Sequence, residues 1–176
     1  MAEHAATIMS KEDIERTITR LSHEILEKNK GSEDLVIIGI ITRGVALGQR
    51  VVKKINEIEG SEVAHGDLDI TLYRDDFDTH VKAPTAITSL PNIKGKTVVL
   101  VDDVLFTGRT IRAAMDAVMQ FGRPEKIQLA VLVDRGHREL PIKADFVGKN
   151  IPTSHSESVK VFLEEYDSKD EVVLEK

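Results

Sequence analysis

Lys96-Thr-Val-Val-Leu-Val-Asp-Asp-Val-Leu-Phe-Thr-Gly-Arg-Thr110 decides how this chain is read. Thr97 to Val101 is an unbroken apolar and β-branched run, the pattern of a strand buried on both faces of a parallel sheet. The run stops at two carboxylates, Asp102 and Asp103, and a helix begins at Thr107-Gly108-Arg109-Thr110. In an open α/β sheet, ligands sit at the carboxyl ends of the strands. The first turn of a helix offers unpaired N–H groups and a positive dipole end, which suit a phosphate. The stretch therefore sets a phosphate cradle beside two carboxylates able to hold hydroxyls or a hydrated Mg²⁺. A sugar phosphate satisfies both ends at once. Two other readings stay open at this level: carboxylates that only cap a loop, and a receiver-type Mg²⁺ site for phosphoryl transfer to Asp. The latter leaves the Thr-Gly-Arg-Thr turn unexplained.

Working outward, the chain alternates strand and helix patterns. Residues 1–9 read as a loose arm. Ser10 with Asp13 is a weaker variant of the capping box, with Asp in place of Glu or Gln, Met9 and Ile14 can form the hydrophobic staple, and Gly31 is the expected stop. Between them Ile14, Ile18, Leu21 and Ile25 recur at helical spacing. Leu35 to Ile41 is a buried strand ending at Thr42-Arg43-Gly44, followed by a helix from Val45 to Ile58 that stops near Gly60. The glycine at this junction permits close approach of backbone to a ligand, and Arg43 can pair with phosphate oxygens. An ordinary tight turn explains the same three residues. Asp67 to Tyr73 alternates and predicts a strand, with Leu68, Ile70 and Leu72 on one face. Arg74 to Asn92 is polar and breaker-rich, long for a connection, and reads as a flap with a β-ribbon around Thr85 to Leu90. Ile111, Ala114, Met115, Val118 and Phe121 give the buried face of the next helix. Ile127 to Val133 is a strand, the segment to Thr153 is irregular, and Val159 to Leu163 is a last strand before an acidic tail. Such alternation predicts an α/β protein with a mostly parallel sheet and right-handed crossovers.

Composition bounds the function. At 176 residues one compact domain spanning 1–176 is expected. Cysteine is absent, which excludes disulfides and Cys-based metal sites. With no membrane-spanning run and no signal-peptide pattern, a cytoplasmic location is the expectation. The net charge of −6 argues against sequence-blind nucleic-acid binding. Seven acidic and three basic residues lie between Glu157 and Lys176, so the other 156 residues carry only −2 and leave room for basic patches. Walker A, dinucleotide and nucleophile-elbow motifs are missing, and the histidines lack zinc spacing.

Val98 to Thr110 resembles the phosphoribosyl-pyrophosphate (PRPP) signature of type I phosphoribosyltransferases: hydrophobic strand, acid pair and T-G-x-T loop in register. Arg109 departs from the commonest form, where a small residue stands. Phe106-Thr-Gly-Arg109 is instead similar to one branch, the pyrimidine operon attenuation regulators that are also uracil phosphoribosyltransferases. Ile70 to Asp76, Gln128 to Ile142 and Gly148 to Ser154 look like the same branch, and the resemblance runs from about Ile14 to Leu163. It implies the type I fold, with helices flanking the sheet, a small hood built from parts of 1–30 and 134–176, and a flexible loop.

The resemblance also implies roles. Asp102 and Asp103 would hold the ribose hydroxyls, and Arg43 would act with them in catalysis. Val104, Leu105 and Phe106 would line the substrate site, while Thr107, Gly108, Arg109 and Thr110 would cradle the 5′-phosphate, with Thr110 near the N-cap. Thr42, Arg43 and Gly44 match the pyrophosphate loop, which in the family often carries a cis peptide. Tyr73, Arg74, Asp75 and Asp76 would open the flexible loop. Arg135 and Val159 would lie at the uracil site. Mg²⁺ would arrive with PRPP and not on a protein site of its own. The further partners implied are UMP and the leader mRNA of a pyrimidine operon, bound across a homodimer or larger homo-oligomer. For RNA the expected residues are Arg16, Thr19, Arg20 and His23 on one helical face, with Arg138, Lys143 and Lys149, and Lys28 as a weaker addition. By pattern alone these are also compatible with a plain solvated surface.

Overall fold

A computed structural model describes residues 5–74 and 88–176. Five strands form a parallel sheet: β2 (Leu35–Ile40), β3 (Ala64–Leu68), β4 (Thr97–Leu105), β5 (Lys126–Asp134) and β6 (Phe146–Asn150), in the order β3-β2-β4-β5-β6. Helix α2 (Arg43–Glu59) links β2 to β3, and α3 (Arg109–Met119) links β4 to β5. The β4 run is apolar throughout because both faces are covered. Val99 and Val101 join a core with α2 and with α1 (Lys11–Asn29), while Val98 and Leu100 join a second core with α3. The chain leaves β2 toward one edge of the sheet and β4 toward the other. The crevice between their carboxyl ends is therefore the topological switch point, where an open α/β sheet binds ligands.

A second, three-stranded antiparallel sheet is made of β1 (Ala5–Met9), β8 (Glu171–Glu175) and β7 (Ser158–Phe162), with β8 in the middle. A four-residue helix, α4 (Glu164–Asp167), joins β7 to β8. Val161, Leu163 and Val172 pack this hood onto the α1–α2 core. Residues 5–9 and 171–175 are thus paired strands and not the loose arm and acidic tail expected: Ala5 pairs with Glu175.

Local corrections follow the same logic. Ser10 and Asp13 do form the capping box on α1, but the left-handed stop falls at Lys30, with the Gly31 N–H donating to the Leu26 carbonyl at 3.0 Å. The third strand lies at Ala64–Leu68, because β2 ends at Ile40 and offers no partner beyond Leu68. Asp69 then accepts the Thr71 N–H and hydroxyl, Thr71–Tyr73 forms a 3-10 turn, and Leu72 is 69% exposed. β4 does not stop at the carboxylates; it runs on to Leu105, paired with Asp134 of β5. In α3 the N-cap is Gly108 in the left-handed region, which puts Thr110 one position inside the first turn, and Phe121 is 51% exposed beyond the helix. The segment read as irregular contains β6. Its Gly148 is required: a Cβ there would stand 2.3 Å from the Leu132 carbonyl and 2.7 Å from Thr17. Of the ribbon around Thr85 to Leu90, Thr85 to Ile87 lie outside the described residues, while Ser89 makes an antiparallel bridge to Asp67. Among the described residues no helix is long and apolar enough to cross a membrane.

Candidate active site

At the switch point, Thr42, Arg43, Arg74, Asp102, Asp103, Val104 and Thr110 line one cavity of about 420 Å³, together with Asp69 and Thr71. A second, of about 320 Å³, adjoins it. It shares Arg74, Val104 and Thr110 and is completed by Leu105, Phe106, Thr107, Gly108, Arg109 and Glu139. A larger open cleft of about 940 Å³ lies away from the strand ends, between α1, α2 and the hood. It is walled by paired charges such as Lys11–Glu164 and Arg50–Glu165.

Asp102 is buried within β4. Its Oδ1 accepts the Asp103 N–H at 2.9 Å, and an Oδ1 of Asp103 accepts the Val104 N–H at 2.7 Å. Burial first, then the neighbouring Asp103 charge, pushes the Asp102 carboxyl well above the ordinary carboxylate range. The two acids therefore differ: Asp102 is buried and held by the backbone, whereas Asp103 is half-buried. Glycine at 44 serves the protein's own packing. A Cβ there would lie 2.4 Å from the Val101 carbonyl and 3.4 Å from Asp102 Oδ1, so the start of α2 sits directly on β4. The Ile41–Thr42 peptide is cis.

The loop expected to cradle phosphate runs from Thr107 to Thr110. The Arg109 N–H lies 3.3 Å from the Thr107 hydroxyl, and the Arg109 side chain donates to Glu139 at 2.9 Å. Arg74 reaches across and donates to the Thr110 hydroxyl at 2.8 Å. It therefore ties the segment after β3 to the first turn of α3. Tyr73 packs on the α3 core; Asp75 and Asp76 lie outside the described residues. Above the loop, the Arg135 guanidinium stacks 3.9 Å over the Phe106 ring and donates to the carbonyls of Ser154 (3.2 Å) and Glu157 (2.7 Å). Val159 on β7 packs at the edge of the main core, as does Val104.

The basic residues divide. α1 packs against β6, and the Arg20 guanidinium donates to the carbonyls of Val147 and Gly148, immediately before Lys149. Arg16 pairs with Asp13, Lys28 with Asp145, and Lys149 donates to the Ile8 carbonyl. Thr19 is half-buried; His23 and Lys143 are exposed. Arg138 is different. It donates to the carbonyls of Phe106 (2.8 Å) and Ile142 (2.9 Å) and to Asp134 (2.6 Å), which makes it a brace beside the Thr107–Thr110 loop. Two of its partners lie four residues away on either side, but the segment between Asp134 and Ile142 carries no helical or strand periodicity to show this, and Phe106 is 32 residues distant. The sequence reading also missed Tyr166 and Asp167 of α4, which bond Thr42 and Arg43 from the hood. They lay within a stretch read only as an acidic tail.

The chain matches the phosphoribosyl transferase domain model over residues 4–169. It resembles solved phosphoribosyltransferases in fold. These include a hypoxanthine-guanine enzyme from Bacillus anthracis, with a TM-score of 0.74 at 20% identity over 97% of this chain and 98% of that one. Another is a hypoxanthine-guanine-xanthine enzyme, with a TM-score of 0.72 at 16% identity over 100% and 97%. Among curated relatives, the bifunctional protein PyrR of Clostridioides difficile is 58% identical over 96% of this chain and 97% of its own length. That of Chloroflexus aurantiacus is 59% identical over 95% and 93%. A chain with the type I cavity at its switch point and this identity along nearly its whole length belongs to the phosphoribosyl transferase domain family, in the branch of the bifunctional PyrR proteins.

Proposed function

We propose that this protein regulates a pyrimidine operon by binding its leader mRNA in response to UMP, and also makes UMP and pyrophosphate from uracil and PRPP. The observation that carries the reading is the placement of an acid pair, a pyrophosphate-type loop and a T-G-x-T loop around adjoining cavities at one switch point. The membership in the bifunctional branch supplies the second activity.

In the reaction the bond from the ribose C1 to the pyrophosphate oxygen breaks, with the electron pair leaving on pyrophosphate. Uracil N1 bonds to C1 and releases its proton. The ribose ring becomes positive in the transition state while the leaving group gains negative charge. Asp103, and Asp102 behind it, hold the ribose hydroxyls; Thr107 to Thr110 fix the 5′-phosphate; Thr42, Arg43 and Gly44 receive the pyrophosphate. Mg²⁺ supplies charge neutralisation on the diphosphate. The carboxylate oxygens of Asp103 and Asp69 along the cavity are the hard donors that suit it. Arg74 begins the loop that closes over PRPP, and the hood carrying Arg135 and Val159 covers the base. The protein works as one unit over residues 1–176, in the cytoplasm, as a homodimer or larger homo-oligomer.

For RNA, the α1–β6 edge carrying Arg16, Thr19, Arg20, His23, Lys28 and Lys149, with Lys143, is the binding face. Hairpin recognition reads shape and unstacked bases, so a negative net charge is no obstacle. Asp103→Asn is expected to cut UMP formation sharply with the fold intact; near wild-type synthesis would sink the active-site assignment. Filter binding of leader RNA with and without UMP tests the regulator, and absence of a UMP-dependent complex would reduce the protein to a salvage enzyme.

A further inference from the structure

α4 of the hood contributes a carboxylate to the loop that faces the cavity. Both oxygens of Asp167 lie on a single nitrogen of Arg43, Nη2, at 2.9 and 3.1 Å. The carboxylate is itself held by its own element, since Oδ2 also accepts the Leu163 N–H at 2.9 Å. One residue earlier, the Tyr166 hydroxyl donates to the Thr42 carbonyl at 3.2 Å. Two turns along α2, Arg50 donates to both Glu165 and Asp170, so α4 is fixed to α2 at two points. These contacts set where the Thr42–Arg43 segment stands relative to Asp102 and Asp103.

The geometry leaves Arg43 unfinished. A guanidinium presents five donors in a fork, and Asp167 engages one nitrogen. Arg43 Nε is buried without a hydrogen-bond partner, the single such side-chain atom among the described residues. A buried donor without an acceptor is costly and calls for an explanation, an absent ion being one. Arg43 lines the cavity between the acid pair and Thr42. The cavity face of the guanidinium is where an anion with several oxygens, larger than the single phosphate placed on the Thr107–Thr110 loop, can meet it.

We propose that Asp167 is a positioning residue for pyrophosphate: it holds the Arg43 side chain at the cavity so that the remaining guanidinium donors meet the diphosphate end of the ligand. The inference rests on the reading of Thr42 to Gly44 as the pyrophosphate loop. Two effects oppose each other here. A carboxylate beside Arg43 weakens its attraction for an anion, while a held side chain has less freedom to lose on binding. Because Asp167 engages only one nitrogen and leaves the rest of the fork available, ordering is taken as the larger effect, and the sign of the titration below tests it. A nucleoside monophosphate has no group in this half of the cavity and is indifferent to Asp167.

The test is calorimetric titration of the full-length protein with Mg-pyrophosphate and, separately, with UMP, alongside steady-state kinetics. Asp167→Asn is the informative change, since the amide oxygen can still accept the Leu163 N–H. It should weaken pyrophosphate binding and raise the KM for PRPP by about tenfold, the order expected from freeing the rotamers of one arginine. UMP affinity should stay within about twofold, because one phosphate on the other loop carries it. Asp167→Glu should restore part of the loss, and Tyr166→Phe, which keeps the ion pair, should show a smaller shift in the same direction. Unchanged or tighter pyrophosphate binding in Asp167→Asn overturns the inference. So does an equal loss for UMP, which would mark a general role in holding the hood. Arg43→Gln in the same titration separates the levels. If it too binds pyrophosphate like the wild type, the loop assignment fails with the inference. If it alone weakens, only the role of Asp167 falls.

Discussion

Gly44→Ala tests how closely the site depends on the seating of α2. Gly44 is buried at the start of that helix, and an added Cβ would stand 2.4 Å from the Val101 carbonyl and 3.3 Å from the Asp102 Cα. Ordinary contact begins near 3.4 Å, so helix and strand would have to part by about 1 Å. Backbone lies on both sides, and no side chain can rotate away. The backbone of Gly44 is not in the left-handed region, so the whole cost is steric. Overpacking of this kind costs about 3 kcal/mol, the upper part of its usual range. For a protein of this size that lowers Tm by roughly 6–12 °C. Gly60→Ala is the comparison. Its φ of 69° penalises a side chain but nothing lies within 4 Å, so the loss is about 1 kcal/mol from conformation alone. Gly48→Ala, whose Cβ would meet the Gly39 Cα at 3.3 Å, should fall in between and covers the case in which Gly44→Ala does not fold. Urea denaturation gives the stabilities and initial-rate kinetics the KM for PRPP. That KM should rise in Gly44→Ala, since moving α2 carries Arg43 away from Asp103. If Gly44→Ala is no less stable than Gly60→Ala, the packing argument is wrong.

Three other outcomes are expected. Asp102→Asn should be more stable than the wild type at pH 8. The carboxyl is raised in the folded state, so ionisation opposes folding; the gain should vanish as pH falls to the unfolded value near 3.8, below which both states are protonated. Thermal melts at pH 8 and pH 4 check this, and a destabilised Asn variant at pH 8 would contradict it. Arg50→Met should cost about 3 kcal/mol, because it strands Asp170, whose side chain is only 3% exposed. Glu165 is lowered by its Arg50 hydrogen bond; for Asp170, burial opposes but the bonds to Arg50 and the Glu164 N–H prevail. Both therefore stabilise above the unfolded carboxylate range and lose that effect as pH falls through their folded values. The wild-type advantage over Arg50→Met should accordingly shrink between about pH 5 and pH 3 in denaturant titrations. Lys143→Ala should weaken leader-RNA binding and reduce its salt slope by about one counterion. Arg138→Ala should instead lower stability, because two carbonyls and Asp134 lose their donor. Equal salt slopes for Lys143→Ala and wild type would remove that residue from the RNA face.

Local chemistry determined much of this protein by itself. Thr97 to Val101 read as a doubly covered strand, Ser10 and Asp13 as a helix start, and the acid pair with Thr-Gly-Arg-Thr as a sugar-phosphate site, because each signal is complete within a dozen residues. The tertiary structure decided what depends on residues distant in the chain. Ala5–Met9 and Glu171–Glu175 are strands only because they pair with each other. Gly44 and Gly148 are glycine because another segment's backbone occupies the space of a Cβ. Burial within β4 distinguishes Asp102 from Asp103, two residues identical in sequence terms. Arg138 became a brace, and Asp167 a partner of Arg43, through contacts that no periodicity encodes. A strand-end motif states which chemistry is present; only packing states how each of its groups is charged, held and aimed.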